Sequence, residues 1–82
     1  MPKAPQHQAL ARQWQVLRLL PTRPPGITSR ELVARLEREG FTVTKRTVER
    51  DLAELSTLFG IACNDKGMPY GWHWMKGEYA DL

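Results

Sequence analysis

The apolar residues of this sequence change their spacing once, at Gly60, and this change constrains the fold more than any other feature. Before Gly60 they recur every three or four residues, which is typical of one face of an α-helix. After Gly60 they recur at every second residue, which is typical of one face of a β-strand. The sequence therefore predicts a mainly α fold that ends in a small β-hairpin.

The first helical pattern covers roughly residues 8–20, where Leu10, Trp14 and Leu17 follow one another at spacings of four and three. It ends where a proline-rich segment, residues 21–26, begins. Proline has no amide hydrogen to donate, so this segment cannot continue a helix. We expect a stiff loop there.

The second helical pattern begins at a capping box, in which the Thr28 hydroxyl accepts from the Glu31 backbone and the Glu31 side chain reaches back. The helix is predicted to run to about Glu39, where Gly40 supplies the left-handed residue that commonly ends a helix. Only a few residues separate this helix from the next. Such a short connection is typical of a helix-turn-helix.

The third helical pattern is the best defined of the three. Thr44 is the expected N-cap, and Gly60 is expected to end the helix. One buried face is predicted for Val48, Leu52, Leu55 and Phe59, which step by four, three and four residues.

The hairpin is predicted from strand-like alternation on both sides of a turn at residues 64–67. Cys63 is expected to be a small buried residue of the first strand. The aromatic residues are expected to pack in the core, while one or two of them could stay exposed as a patch for a partner. These residues are Trp14, Tyr70, Trp72 and Trp74.

Three helices, of which the last two are joined by a tight turn, followed by a two-stranded hairpin, define the winged helix-turn-helix architecture. We assign this architecture to residues 8–75. Residues 1–7 are expected to be a flexible leader. Residues 76–82 are expected to be a tail or the start of a linker to a further domain.

Length and composition restrict the function. A chain of 82 residues predicts one small domain, which buries too little surface to enclose a deep reaction cavity. Cys63 is the only cysteine, and no metal-ligand spacing or catalytic motif is present, so we expect no metal, no cofactor and no enzyme activity. No apolar run is long enough for a membrane span or a signal peptide, which predicts a cytoplasmic protein.

The net charge of +3 is unevenly distributed. Residues 1–26 contain four basic and no acidic residues, whereas residues 27–60 are balanced. An excess this small is compatible both with a polyanionic partner and with simple solubility. The positions of the basic residues must therefore decide between a polyanionic partner and simple solubility.

Lys45 and Arg46 lie in the first turn of the predicted third helix, where the positive end of the helix dipole disfavours cations. Local stability does not explain them, whereas an anionic partner would. The buried face is centred on Val48, so Arg46 and Arg50 lie on the opposite, outward face. Arg46 is the strongest candidate for a base contact, because its fork can pair bidentately with guanine.

The remaining candidates each have a structural alternative. Arg50 could contact the groove or be neutralised by neighbouring acids, and a solvated surface remains the alternative for Lys45. The hydroxyls of Thr44 and Thr47 could contact phosphates or serve the helix cap. Glu49 lies on the same flank as Lys45 and belongs to the predicted DNA-binding surface.

Two further regions are predicted to contact the DNA backbone. Ser29 and Arg30, beside the Thr28 cap, could hold the strand that flanks the groove. Lys66 at the hairpin tip could contact phosphate or the minor groove, or could simply be solvated.

Two motifs carry a resemblance to a known family. The stretch Arg46–Leu52 reads Arg-Thr-Val-Glu-Arg-Asp-Leu, and Tyr70–Trp74 reads Tyr-Gly-Trp-His-Trp. Together they resemble the N-terminal module of WYL-domain transcriptional regulators, whose winged helix is similar to the deoxyribonucleoside-repressor (DeoR) type. The similarity covers about residues 9–77. It implies that the helix bearing Arg46–Leu52 is the recognition helix.

Members of that family usually continue into a ligand-sensing WYL domain and a dimerising extension. The resemblance implies a bacterial repressor that binds an inverted repeat in double-stranded DNA. It also implies a homodimer that forms through a C-terminal domain outside this sequence, and a location at the nucleoid. The sequence ends at Leu82, so we expect either an excised DNA-binding domain or a small stand-alone regulator. The alternative hypothesis is a winged helix that serves protein–protein interaction or dimerisation and does not bind DNA.

Overall fold

Residues 5–67 and 69–75 are described by a computed structural model. They form three helices followed by a two-stranded antiparallel sheet, which confirms the predicted fold class. The elements in chain order are α1 Pro5–Leu19, α2 Ser29–Arg38, α3 Lys45–Ser56, β1 Ile61–Asn64 and β2 Gly71–Trp74.

The predicted helix boundaries hold with two corrections, and in the hairpin Asn64, predicted to lie in the turn, is the last residue of β1 and pairs with Gly71. α1 already includes Pro5, where a leader was predicted, because the fixed φ of proline suits the first position of a helix. α3 ends at Ser56 and not at Gly60, because the backbone tightens there: Thr57 N and Leu58 N donate to oxygens three residues earlier, at 3.1 and 3.0 Å. Residues 1–4 of the predicted leader and the predicted tail at 76–82 lie outside the described residues.

α1 packs with a different face from the one predicted. Val16, Leu17 and Leu20 are buried, whereas Leu10 is 66% and Trp14 49% exposed. The predicted core role of Leu10 and Trp14 is therefore wrong. The buried face continues toward the N-terminus through polar residues, which the apolar spacing could not reveal.

Those polar residues, Arg12 and Gln13, bind a buried carboxylate on α3. Asp51 is only 2% exposed. The Arg12 guanidinium donates to both of its oxygens, with Nη2 at 3.0 Å from Oδ1, and Gln13 Nε2 donates to the same Oδ1 at 3.1 Å. The hydrogen bond to Asp51 raises the pKa of Arg12 above its ordinary value. This cluster ties α1 to α3 and leaves the buried charge paired.

The apolar core lies between the three helices and the end of the sheet nearest to them. Trp74 is its largest member, 1% exposed, and its Nε1 donates to the Leu17 carbonyl oxygen at 3.3 Å. Phe59, predicted to be buried, is only partly so, and its ring stands edge-on to Trp74 at 6.0 Å. The buried apolar residues are Val16, Leu17, Leu20, Ile27, Leu32, Leu36, Val48, Leu52, Leu55, Ile61 and Trp74.

Burial falls along the hairpin from its base toward its tip. The register pairs Ile61 with Trp74 at the base and Cys63 with Trp72 further out. Trp72 is partly buried, Cys63 is exposed, and Tyr70 is 48% exposed. Cys63 and Tyr70 are therefore not buried as predicted, and Tyr70 and Trp14 are the one or two aromatic residues that the sequence allowed to stay exposed. The inner face of the sheet is therefore covered best near its base.

The loop between α1 and α2 pairs with the free side of β2. Ile27 N donates to the Trp72 oxygen at 2.9 Å, and Trp72 N donates back at 2.8 Å. Trp74 N donates to the Pro21 oxygen at 2.9 Å. This contact is close enough to require glycine, because a Cβ on Gly71 would lie 1.8 Å from the Pro25 oxygen. The proline-rich loop therefore holds the hairpin in place.

We expect Gly71→Ala to destabilise the fold by about 2 kcal/mol, because the added methyl group forces the loop and β2 apart. Gly67→Ala is the matched control, since a Cβ there meets nothing within 4 Å, and we expect it to change stability by less than about 0.5 kcal/mol. Urea unfolding measures both. Equal stability of the two variants would contradict the close approach.

We expect Asp51→Ala to lower the free energy of unfolding by about 3 kcal/mol, because it leaves the Arg12 guanidinium without its partner in a partly buried site. Glu54→Ala is the control on the same helix, since Glu54 is exposed and bonded only through Gln13 at 3.3 Å among the described residues. Chemical denaturation compares them. A loss in Asp51→Ala no larger than in Glu54→Ala would show that the cluster does not stabilise the fold.

Candidate nucleic-acid interface

The start of α2 is fixed by the predicted capping box. Thr28 Oγ1 accepts from Glu31 N at 3.1 Å, and Thr28 N donates to Glu31 Oε1 at 2.9 Å. That backbone hydrogen bond is the main reason why the pKa of Glu31 lies below its ordinary value. Two amides at the helix start are satisfied within the chain, so the capping role of Thr28 is confirmed.

The turn between α2 and α3 has the form of a Schellman motif. Gly40 has a φ of +94°, and its N–H donates to the Glu37 oxygen at 3.1 Å. Phe41 N donates to the Leu36 oxygen at 2.9 Å. Both bonds close the end of α2 and leave few residues before α3 begins. The turn therefore fixes the direction in which α3 departs from α2.

Thr44 and Thr47 form the N-terminal cap of α3. Thr44 Oγ1 accepts from Thr47 N at 3.1 Å, and the two hydroxyl oxygens are also 3.1 Å apart. The capping alternative is therefore present for both residues. Thr44 remains exposed, whereas Thr47 is half-buried.

The outward face of α3 carries the basic residues predicted from its periodicity. Lys45, Arg46 and Arg50 are all exposed. Within residues 5–67 and 69–75, the side chains of Arg46 and Arg50 form no ion pair or hydrogen bond. Arg50 forms no ion pair with the acids near it in sequence, because Asp51 binds Arg12, Glu49 binds Ser29, and Glu54 binds Gln13.

Glu49 links the starts of α2 and α3. Ser29 is only 6% exposed, and its Oγ donates to Glu49 Oε2 at 3.2 Å. Lys45 Nζ lies 3.9 Å from the same oxygen, in an exposed ion pair between residues one helical turn apart. The structure thus brings three of the predicted residues together, and it gives the Ser29 hydroxyl a partner inside the protein.

A groove of about 580 Å³ separates the starts of α2 and α3 from the outer part of the hairpin. Four of the predicted DNA-binding residues line it, namely Ser29, Arg30, Lys45 and Glu49, together with Thr28, Pro69, Tyr70 and Trp72. Lys66 is exposed in the hairpin turn but does not line this groove.

Sequence reasoning missed two parts of this region. Tyr70 and Trp72 were expected in the core, yet both line the groove, because the loop carrying Ile27 joins β2 and brings the hairpin beside α2. Asp51 was considered only as a neighbour of Arg50. Its position, three residues after Val48 and four before Leu55, places a charge on the buried face and could have revealed a buried ion pair.

The described residues provide little for other chemistry. Desolvation by its surroundings and the nearby Asp65 raise the pKa of the exposed Cys63 thiol, so the thiol is mostly protonated at neutral pH. Among residues 5–67 and 69–75, no group of three or more His, Cys, Asp or Glu side chains is placed to hold a metal ion. In the same part of the chain, no helix combines the length and apolar character that crossing a bilayer requires.

Comparison with protein families, with curated proteins and with solved structures finds no significant match to this chain.

Proposed function

We propose that this chain binds double-stranded DNA sequence-specifically, as the DNA-reading domain of a transcriptional regulator. α3 would enter the major groove, and the hairpin would contact the backbone or the minor groove. The observation that carries the proposal is the outward face of α3, where Arg46 and Arg50 are exposed and unpaired among the described residues.

The placement of these cations supports an external anion. Lys45 and Arg46 are the first two residues of α3, where the helix dipole disfavours positive charge. The dipole acts against both, the ion pair with Glu49 offsets part of this for Lys45, and neither residue packs in the core. Phosphate oxygens would reverse this effect, since the free amides of a helix start also attract them.

The groove beside α3 offers a second set of contacts. Arg30 and Lys45 line it at the starts of α2 and α3, and both are exposed. Two exposed cations at neighbouring helix starts are suited to phosphates of the DNA strand that borders the major groove. In this arrangement phosphate contacts position the domain, while Arg46 and Arg50 reach base edges.

The resemblance of Arg46–Leu52 and Tyr70–Trp74 to WYL-domain regulators extends this proposal. On that basis the chain is the DNA-binding part of a bacterial WYL-type repressor that acts in the cytoplasm on an inverted repeat. It would do so as a homodimer, with the partner copy held through a further domain. No catalytic step, metal or cofactor enters this function.

A protein-interaction module is the second candidate, and the exposed face of α1 favours it. Leu10 and Trp14 are about half to two-thirds exposed and lie beside Phe41 over an apolar surface. Apolar surface of this kind is common where proteins associate. This apolar surface does not include the outward face of α3. The second candidate predicts no DNA binding, so a DNA-binding measurement distinguishes the two functions.

We expect the chain to bind a random-sequence duplex at low salt and to lose affinity steeply as salt rises. If 3–4 phosphates are neutralised, affinity should fall by roughly 40- to 150-fold between about 50 and 200 mM salt. Fluorescence anisotropy of a labelled duplex measures this. No binding at low salt would exclude DNA binding and favour the second candidate, whereas binding that does not respond to salt would contradict the proposed phosphate contacts.

We expect Arg46→Ala to reduce the preference for the best site over random duplex by about 5- to 150-fold, because a bidentate base contact is lost. Lys45→Ala should weaken binding to every duplex by the same factor, whatever its sequence, and should reduce the salt slope by about 1, since it removes a phosphate contact. Competition binding with selected and random duplexes separates these effects. Unchanged preference in Arg46→Ala would remove this residue from base reading.

A further inference from the structure

Glu49 places a negative charge on the surface that is proposed to face DNA. It lies three residues after Arg46 and four after Lys45, and its side chain is 51% exposed. Phosphates repel a carboxylate, so Glu49 weakens general attraction to DNA. Its place on this surface therefore needs another explanation.

The Glu49 carboxylate is held in one orientation by its neighbours. The buried Ser29 hydroxyl donates to Oε2 at 3.2 Å, and the Lys45 ammonium lies 3.9 Å from that same oxygen. Because Ser29 belongs to α2, its hydrogen bond fixes the carboxylate relative to both helices of the helix-turn-helix. A side chain held in this way loses less freedom when it binds a partner.

The second oxygen of the carboxylate is available to an outside donor. Both contacts use Oε2, and within the described part of the chain no donor reaches Oε1. Glu49 lines the groove between α2, α3 and the hairpin. An incoming hydrogen-bond donor can therefore meet Oε1 from the same side as DNA in the proposed complex.

From this geometry we propose that Glu49 is a specificity-determining residue, whose Oε1 accepts a hydrogen bond from the N4 amino group of a cytosine in the major groove. This inference rests on the proposed DNA binding. Only cytosine N4 and adenine N6 donate in that groove. On adenine the acceptor N7 adjoins the amino group and repels a carboxylate, whereas cytosine has no acceptor on its own groove edge.

The test is selection of duplexes from a random library by the full chain and by Glu49→Ala and Glu49→Gln. We expect the wild-type chain to prefer cytosine at one position by roughly tenfold, and Glu49→Ala to lose that preference while the other positions keep theirs. Glu49→Gln should shift the position toward adenine, because an amide can both donate to N7 and accept from N6. Glu49→Gln also keeps an oxygen acceptor for the Ser29 hydroxyl, so a changed base preference in this variant does not come from loss of the helix junction.

Glu37→Gln is the matched control, because Glu37 is an exposed acid on α2 that does not line the groove. It changes the net charge by the same amount and should leave every base preference unchanged. If Glu49→Ala keeps the cytosine preference, or if Glu37→Gln removes it equally, the inference is overturned although DNA binding stands. If the wild-type chain binds no duplex at low salt, the proposed function fails and this inference fails with it.

Discussion

The orientation of α3 depends on the buried carboxylate of Asp51. A buried charge is costly unless it is paired and hydrogen-bonded, and among residues 5–67 and 69–75 its donors are Arg12 and Gln13, both from α1. Successive residues of a helix point about 100° apart. Anchoring Asp51 to α1 therefore also fixes the direction of its neighbour Arg50, which is turned to solvent.

The ends of the helices complete this arrangement. The capping box at Thr28 and the Schellman turn at Gly40 determine where α2 begins and ends, and Ser29 joins the starts of α2 and α3 through Glu49. Arg46 and Arg50 take no part in these contacts. The proposed base-reading residues can therefore vary without disturbing the fold, whereas Glu49 serves both the helix junction and the proposed recognition.

The elements were predictable from the sequence because their signals are local. The caps at Thr28 and Thr44, the stop at Gly40, the change of period at Gly60 and the outward direction of Arg46 all follow from neighbouring residues. The failures concern contacts between distant segments. The spacing of Trp14 and Cys63 predicts burial. Whether another element covers them depends on which face of α1 the Arg12–Asp51 pair turns inward and on which part of the hairpin packs on the helices. The groove beside α3 depends in turn on the pairing of Ile27 with Trp72.

That pairing also affects how this small sheet meets other chains. A strand at the edge of a sheet offers unpaired backbone groups to which a strand of another molecule can add, which is a common start of aggregation. β2 instead borders a loop that includes Pro21, Pro24 and Pro25, and these residues have no amide hydrogen to offer. The segment that orients the hairpin thus also blocks the addition of a further strand on that side of the sheet.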